Sequence, residues 1–172
     1  MKLVSPSKEF ESAFKVYYQD FLEHDIDNSE YYKDGVLDFS RYIECLNDEA
    51  RGVNLPDGYV PCNHYWLVND EGEILGAIRV RHRIDNEFLS LEAGHIGYDI
   101  APSKRGSGYG KAMLKFAVPK ASSLGIKQAL ITADEDNIAS RKVIEANGGK
   151  FEKIIFGNVF PGPVASYWLD CQ

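Results

Sequence analysis

The sequence has few of the features that mark membrane, secreted or disulfide-rich proteins. It contains only 3 cysteines among 172 residues, far apart and without a C-x-x-C pair, which favours free thiols in a reducing compartment. No apolar run reaches the roughly 18 residues that a membrane span needs. Met1–Val4 leads directly into Ser-Pro and charged residues, so no leader peptide is expected. Together these absences predict a cytoplasmic protein.

Positive charge is also scarce, because 19 Lys and Arg face 26 Asp and Glu and the net charge is −7. Nucleic-acid-binding domains usually carry a basic patch or stripe, so no nucleic-acid partner is expected, and no membrane partner either. Cys62 and His64 are two potential metal ligands, but the sequence offers them no partner cluster, and no metal site is predicted. The length predicts a single domain over residues 1–172 with a substantial core.

Hydrophobic periodicity predicts a mixed α/β protein. A short strand at Lys2–Val4 is followed by two helices, Phe10–His24 and Phe39–Arg51, which flank a polar loop at Asp25–Asp38. The remaining predicted elements, in chain order, are strands at Asn63–Asn69, Ile74–Ile84 and His95–Ala101, a helix from Gly108 to about Leu124, a strand at Gln128–Ala133, a helix at Ile138–Ala146, and strands at Lys150–Phe156 and Val164–Asp170. This order predicts one mixed sheet with helices packed on it.

The segment Gly94–Lys115 has the pattern of an anion-binding site. A strand runs into a turn with three glycines, and an amphipathic helix follows. The first N–H groups of a helix have no internal partner and carry partial positive charge, and glycine lets an anion reach the backbone. Two common phosphate motifs do not fit, because a P-loop needs glycine at 105 and the dinucleotide fingerprint needs glycine at 111.

The pattern that does fit is Arg-x-x-Gly-x-Gly at Arg105, Gly108 and Gly110. Here the chain resembles the GCN5-related N-acetyltransferase (GNAT) family, whose acyl-CoA signature is Q/R-x-x-G-x-G/A between a strand and a helix. A second match is Asn137 with Ser140, in the family's Asn-x-x-Ala/Ser pattern. The resemblance covers essentially the whole chain and implies a GNAT-type mixed, mostly antiparallel central sheet flanked by helices, with the acyl-CoA site at the central strand–turn–helix.

The resemblance implies acetyl-CoA as co-substrate and supplies the predicted binding residues. The central strand should pair with the pantetheine arm, and one of its backbone N–H groups, assigned to Tyr98, should stabilise charge on the thioester oxygen. Asn137 contacts the pantetheine region, caps its helix, or does both. The full predicted cofactor-binding set is Tyr98, Asp99, Ile100, Arg105, Gly106, Ser107, Gly108, Tyr109, Gly110, Lys111, Asn137 and Ser140.

The proton-transfer groups are less well defined. The first candidate for the general base is Glu92, which shares strand parity with the positions that the family uses, and Asp134 and Glu135 are further candidates. His95 should point to the opposite face of the sheet.

Ile144 stands where the family often has a tyrosine that protonates the departing thiolate, so no general acid is assigned. Tyr109 and Tyr167 are two hydroxyls that stay open as substitutes.

The resemblance therefore implies direct transfer of an acetyl group from acetyl-CoA to the amine of an unidentified small molecule or peptide. The region Asp25–Pro61 lies where acceptor sites vary in the family; it either lines a groove for a cationic amine or is a packed helix with a loop. A homodimer, common in the family, is a further expectation. Two alternatives stay open: a non-catalytic acyl-CoA-binding module of the same fold, and a nucleotide- or phosphate-binding protein without acyl chemistry.

Overall fold

The structure, a computed structural model, describes residues 1–172. Its strands are β1 (Lys2–Val4), β2 (Cys62–Val68), β3 (Ile74–Arg81), β4 (Ile96–Ile100), β5 (Gln128–Asp134), β6 (Lys150–Ile155) and β7 (Val164–Asp170). Its helices are α1 (Glu11–His24), α2 (Ile26–Ser29), α3 (Lys33–Leu37), α4 (Phe39–Arg51), α5 (Tyr109–Ser123) and α6 (Ile138–Ala146). None of these helices is both long and apolar enough to cross a bilayer.

All seven strands form one sheet in the order β1-β2-β3-β4-β5-β7-β6. Every neighbouring pair is antiparallel except β4 and β5, which are parallel. The predicted mixed, mostly antiparallel sheet flanked by helices is therefore confirmed. The β4–β5 ladder consists of the single pair Ile96–Ile131, and beyond this pair the two strands have no ladder. The sheet is thus split along the carboxyl halves of β4 and β5.

The two faces of the sheet carry separate apolar cores, because side chains alternate along each strand. In β2, Tyr65 and Leu67 face the core that holds α5 and α6. Trp66 and Val68 face an aromatic-rich core under α1 and α4, where Phe14 contacts the rings of Trp66 and Tyr32. The sheet is therefore sandwiched between helices, as the alternating pattern of the strands requires.

The segment Asp25–Asp38, predicted as a loop, contains the short helices α2 and α3 instead. Its order comes from tertiary packing: a Cβ at Gly35 would collide with the ring of Phe14, so only glycine allows α3 to lie this close to α1. The predicted helix Phe39–Arg51 is confirmed as α4. Asp38 caps it by accepting a hydrogen bond from the N–H of Arg41, and Gly52 ends it at φ +71°.

Candidate active site

The turn between β4 and α5 is held against α1 by two carboxylates. Asp20 accepts hydrogen bonds from both the N–H and the hydroxyl of Ser103, each at 3.0 Å. Arg105 donates through Nη2 to Asp25 at 2.6 Å and through Nε to the carbonyl of Ile100 at 3.1 Å. The guanidinium predicted to bind the cofactor is therefore engaged within the protein, where it positions the turn. Direct contact of Arg105 with the cofactor stays a prediction.

Beyond Arg105, the backbone N–H groups of residues 106–111 donate to no acceptor in the protein. Gly106 and Gly108 have φ +76° and +81°, and open space lies where a Cβ would stand at either position. Lys111 forms no ion pair, whereas Lys104 lies 3.6 Å from Glu73. A run of free N–H groups at the start of a 15-residue helix, with a free lysine beside it, fits a diphosphate anion.

The split in the sheet exposes backbone groups of β4. The N–H of Arg81 bonds to the carbonyl of His95, and the N–H of Ala101 to that of Leu75. In an antiparallel ladder these bonds recur at every second residue, so the N–H groups of Tyr98 and Ile100 face the β5 side, where the ladder has already ended. The backbone of Asp99, also predicted to contact the cofactor, pairs with Ala77 of β3 instead.

The split opens into a cleft of about 570 Å³. Four of the predicted cofactor-binding residues line it: Tyr98, Asp99, Asn137 and Ser140. The turn at 105–111 and Ile100 lie outside the cleft lining, at the end of β4. The structure therefore divides the predicted set into an anion cradle and a separate cleft, joined by the exposed edge of β4.

Within the cleft, Tyr98 and α6 are connected by hydrogen bonds. The hydroxyl of Tyr98 lies 2.8 Å from Ser140 Oγ and donates to the carbonyl of Ser140 at 3.2 Å. Burial raises the pKa of Tyr98 to about 12, so its hydroxyl keeps its proton at neutral pH. Asn137 Oδ1 accepts from the N–H of Ser140 at 3.0 Å, which confirms the helix-capping role. The Nδ2 group of Asn137 has no protein partner and remains available to a ligand.

Glu92 lies in a helical turn, Leu89–Ala93, rather than in the strand that its predicted role assumed. The residue is 3% exposed, and its carboxylate accepts hydrogen bonds from the N–H groups of Asn158, Val159 and Phe160, at 2.7 to 3.2 Å. These bonds, that of Phe160 above all, lower the pKa of Glu92. A carboxylate stabilised in this way is a poor proton acceptor, so the geometry argues against Glu92 as the general base.

The other predicted acid–base groups fall into two sets. His95 is buried and its Nδ1 accepts from the N–H of Leu130 at 3.0 Å; burial and the charge of Arg81 lower its pKa, so its role is structural. Asp134 and Glu135 are exposed, line the cleft and form no ion pair, so they remain the candidate bases.

The hydroxyl of Tyr167 is not available as a general acid in the cleft. Its side chain is fully buried, accepts from Arg141 Nε at 2.8 Å and donates to Glu145 at 2.9 Å. Ile144, at the position of the family's tyrosine, is also fully buried and belongs to the core under α5 and α6. Of the two tyrosines that the sequence offered as substitute acids, only Tyr109 remains.

Two arginines in the cleft were not among the predicted site residues. Arg79 and Arg81 lie on one face of β3 and alternate along the strand with the apolar side chains of Ile78 and Val80, and both line the cleft with Tyr31. Arg79 Cζ lies 5.7 Å from the centre of the Tyr31 ring. The alternation was a usable signal, but it does not tell which charged faces are open to solvent and which are covered by helices.

A polar cluster outside the cleft joins β2 to α4. His64 Nε2 lies 2.6 Å from Glu49 Oε2, and the potential ligand atoms of Glu49, Cys62 and His64 are all within 4.8 Å of one another. Burial lowers the pKa of His64, but hydrogen bonds with Cys62 and Glu49 outweigh it and raise the pKa to about 9. Glu49 is the partner that the sequence did not supply. That the protein holds no metal stays a prediction.

The fold and the site define an α/β protein whose central sheet is split beside a turn with free backbone N–H groups. Residues 39–150 match the acetyltransferase (GNAT) domain family. The chain belongs to the GNAT family. Among curated proteins, no relative matches the sequence.

Solved structures share the fold at low sequence identity. RimJ from Mycobacterium smegmatis, in complex with CoA-disulfide, superimposes with a TM-score of 0.70 at 16% identity, covering 98% of this chain and 80% of that one. RimL, a ribosomal L7/L12 α-N-protein acetyltransferase in complex with coenzyme A, gives 0.64 at 17% identity, with coverage of 99% and 94%. A variant of the spermidine N-acetyltransferase SpeG from Vibrio cholerae gives 0.61 at 11% identity, with coverage of 99% and 95%.

Proposed function

We propose that residues 1–172 form one acetyl-CoA-dependent N-acetyltransferase domain that acts on the amine of a small molecule or peptide. The observation that carries the proposal is the run of free N–H groups at residues 106–111, placed at the end of a strand whose next free N–H groups face an open split. These two sets of free donors match a ligand with a diphosphate at one end and an amide-bearing arm at the other. RimJ and RimL, which share the fold, were solved with CoA species bound.

The residues of the chain have distinct roles in the proposed reaction. Acetyl-CoA, when bound, supplies the acetyl group as a thioester. The N–H of Tyr98 donates to the thioester oxygen as negative charge develops there. A new C–N bond forms between the amine and the acetyl carbon, and the C–S bond breaks. The amine proton leaves through water to Asp134 or Glu135, the free carboxylates of the cleft, and the thiolate takes a proton from water.

Steady-state release of free thiol tests the proposal. With a broad panel of primary amines, we expect acetyl-CoA to be consumed in proportion to acetylated amine. Binding of CoA, ATP and NAD measured by calorimetry should show a clear preference for CoA. If ATP or NAD binds as tightly as CoA, the acyl-CoA assignment is wrong.

The second candidate is a non-catalytic acyl-CoA-binding module, and the position of Ile144 favours it. Ile144 is sealed in the core and Tyr167 cannot replace the missing hydroxyl, so the remaining candidate acid is Tyr109, which does not line the cleft. A thiol with a pKa near 8.5 is nevertheless a fair leaving group, which is why catalysis is preferred here. CoA binding without thiol release for any amine would favour the module. A cytoplasmic location and a homodimer remain predictions from the sequence.

A further inference from the structure

The cleft has a cationic wall on the side of β3. Arg79 and Arg81 are two residues apart in β3, so their side chains lie on the same face of the sheet. Both line the 570 Å³ cleft. Arg79 crosses over β4 at Gly97, where an added Cβ would stand 2.8 Å from Arg79 Nε. The absence of a side chain at Gly97 therefore lets the guanidinium lie beside the open edge of β4.

Most of the N–H donors of these two arginines are unused. Arg81 donates through Nη1 to the carbonyls of Gly94 at 3.0 Å and Ala93 at 3.4 Å, and its Nε and Nη2 have no partner. Arg79 makes no hydrogen bond; its closest carboxylate oxygen, on Asp99, is 3.6 Å away, which is too far for one. These donors are not sealed from solvent, since the one buried polar side-chain atom without a partner is the hydroxyl of Tyr17.

The two carboxylates near this wall accept their hydrogen bonds from groups other than the arginines. Asp99 is shared with Tyr32, whose hydroxyl donates to it at 2.8 Å. The carboxylate of Glu92 lines the same cleft, but both of its oxygens accept backbone N–H groups. Arg81 forms no ion pair at all. Guanidinium groups that keep free, solvent-accessible donors at a cavity wall can bind an external anionic acceptor.

The opposite rim of the cleft carries the complementary charge. Asp134, Glu135 and Asp136 are exposed, line the cleft and form no ion pairs. An acceptor that approaches past this rim meets negative charge first and positive charge at the β3 wall. This polarity suits a molecule that carries a positive and a negative group at its two ends.

We propose that the acceptor amine carries an anionic group close to it, and that Arg81, assisted by Arg79, binds that group. The inference rests on the proposed function. Guanidinium groups match carboxylates in a two-pronged geometry. Neighbouring strands are about 4.8 Å apart, so an anion held by β3 lies only a few bonds from an amine placed over β4. The acceptor class is therefore a small amino acid, rather than a polyamine without an anion.

Matched acceptors test this proposal directly. Thiol release is measured for the common amino acids, for the amide of each, and for spermidine, all at one saturating concentration of acetyl-CoA. We expect at least one amino acid to have a kcat/KM roughly 10- to 100-fold above that of its amide, since the amide lacks the charge that strengthens the hydrogen bonds. Arg81→Ala should bring this ratio close to one, and Arg81→Lys should restore part of it.

Arg83 provides the control. It is exposed, pairs with Asp85 and does not line the cleft, so Arg83→Ala should keep the wild-type ratio. Amides or spermidine acetylated as well as the amino acids, or an unchanged ratio in Arg81→Ala, would overturn the proposal while leaving acetyl transfer intact. If Arg81→Ala fails to fold, the proposal is tested by the ratio of amino acid to amide in the wild type and by the reduced ratio expected in Arg81→Lys. If no amine is acetylated although CoA binds, the proposed function fails, and this inference fails with it.

Discussion

Replacing Gly108 with alanine should weaken CoA binding far more than it weakens the fold. Gly108 is the N-cap of α5 at φ +81°, and nothing in the protein lies within 4 Å of the position that a Cβ would take. The new methyl group therefore meets no protein atom. It stands in open space on the turn whose free N–H groups, at residues 106–111, are proposed to bind the diphosphate.

The cost to stability follows from the backbone angle. An L-residue in the left-handed region lowers the free energy of unfolding by about 1–2 kcal/mol. Alanine offsets about 0.4–1 kcal/mol of this, because it reduces the conformational entropy of the unfolded chain. The net loss should be about 1 kcal/mol, which for a chain of this length lowers Tm by roughly 2–4 °C. The loss of affinity should be larger, because each hydrogen bond to a charged group contributes about 1.5–3 kcal/mol. Blocking one of them weakens binding roughly 10- to 100-fold.

Gly125 is the matched control. It lies beyond the other end of α5, has the same φ of +81°, and also has nothing within 4 Å of its added Cβ. Gly125→Ala should lose the same stability in urea denaturation but keep wild-type CoA affinity in calorimetry. Equal CoA affinity in the two variants would refute the cradle at residues 106–111.

Three further changes test other parts of the structure. Glu92→Gln should increase proteolysis within the loop 157–163 and raise KM for the acceptor. Because the pKa of Glu92 is lowered from 4.5, the stability that its carboxylate contributes is present above that pH and is lost as the pH falls through the lowered pKa. A difference in stability between the variant and the wild type that is largest in acid would contradict this. Ile144→Tyr should destabilise the core by about 1–3 kcal/mol without raising kcat, measured by urea denaturation and thiol release; a faster enzyme would show that the position reaches the cleft. Glu49→Gln should lower the pKa of His64 from about 9 in an NMR titration. The protonated imidazole contributes stability that is complete below pH 6.5 and is lost as pH rises through 9. The wild type and the variant should therefore differ in stability at pH 7 and converge above pH 9, and a constant difference would contradict the ion pair.

The strand–turn–helix at the centre of the chain was predictable because its signals are local. Gly108 has to adopt a positive φ at the helix start, and Asn137 caps α6 through a hydrogen bond three residues along the chain. Both are encoded by short spacings that the sequence shows directly. The helix α3 in the segment Asp25–Asp38 was not predictable, because it depends on Gly35 packing against Phe14 of another helix.

The partners of the site residues could not be predicted for the same reason. Glu92 was placed on a strand by its parity, but it lies in a helical turn and binds N–H groups 66 to 68 residues away along the chain. Arg105 fits the family signature, yet its side chain pairs with Asp25 of a distant segment. Pattern spacing identifies which residues lie near a site, and only the packing of remote segments decides which of their atoms remain free.

The most direct test of acyl-CoA binding along the edge of β4 is a crystal structure with coenzyme A. We expect the diphosphate oxygens within hydrogen-bond distance of the backbone nitrogens of residues 106–111, and the pantetheine amides opposite Tyr98 and Ile100. Coenzyme A bound at any other surface, or with its diphosphate away from this turn, would contradict the proposed site.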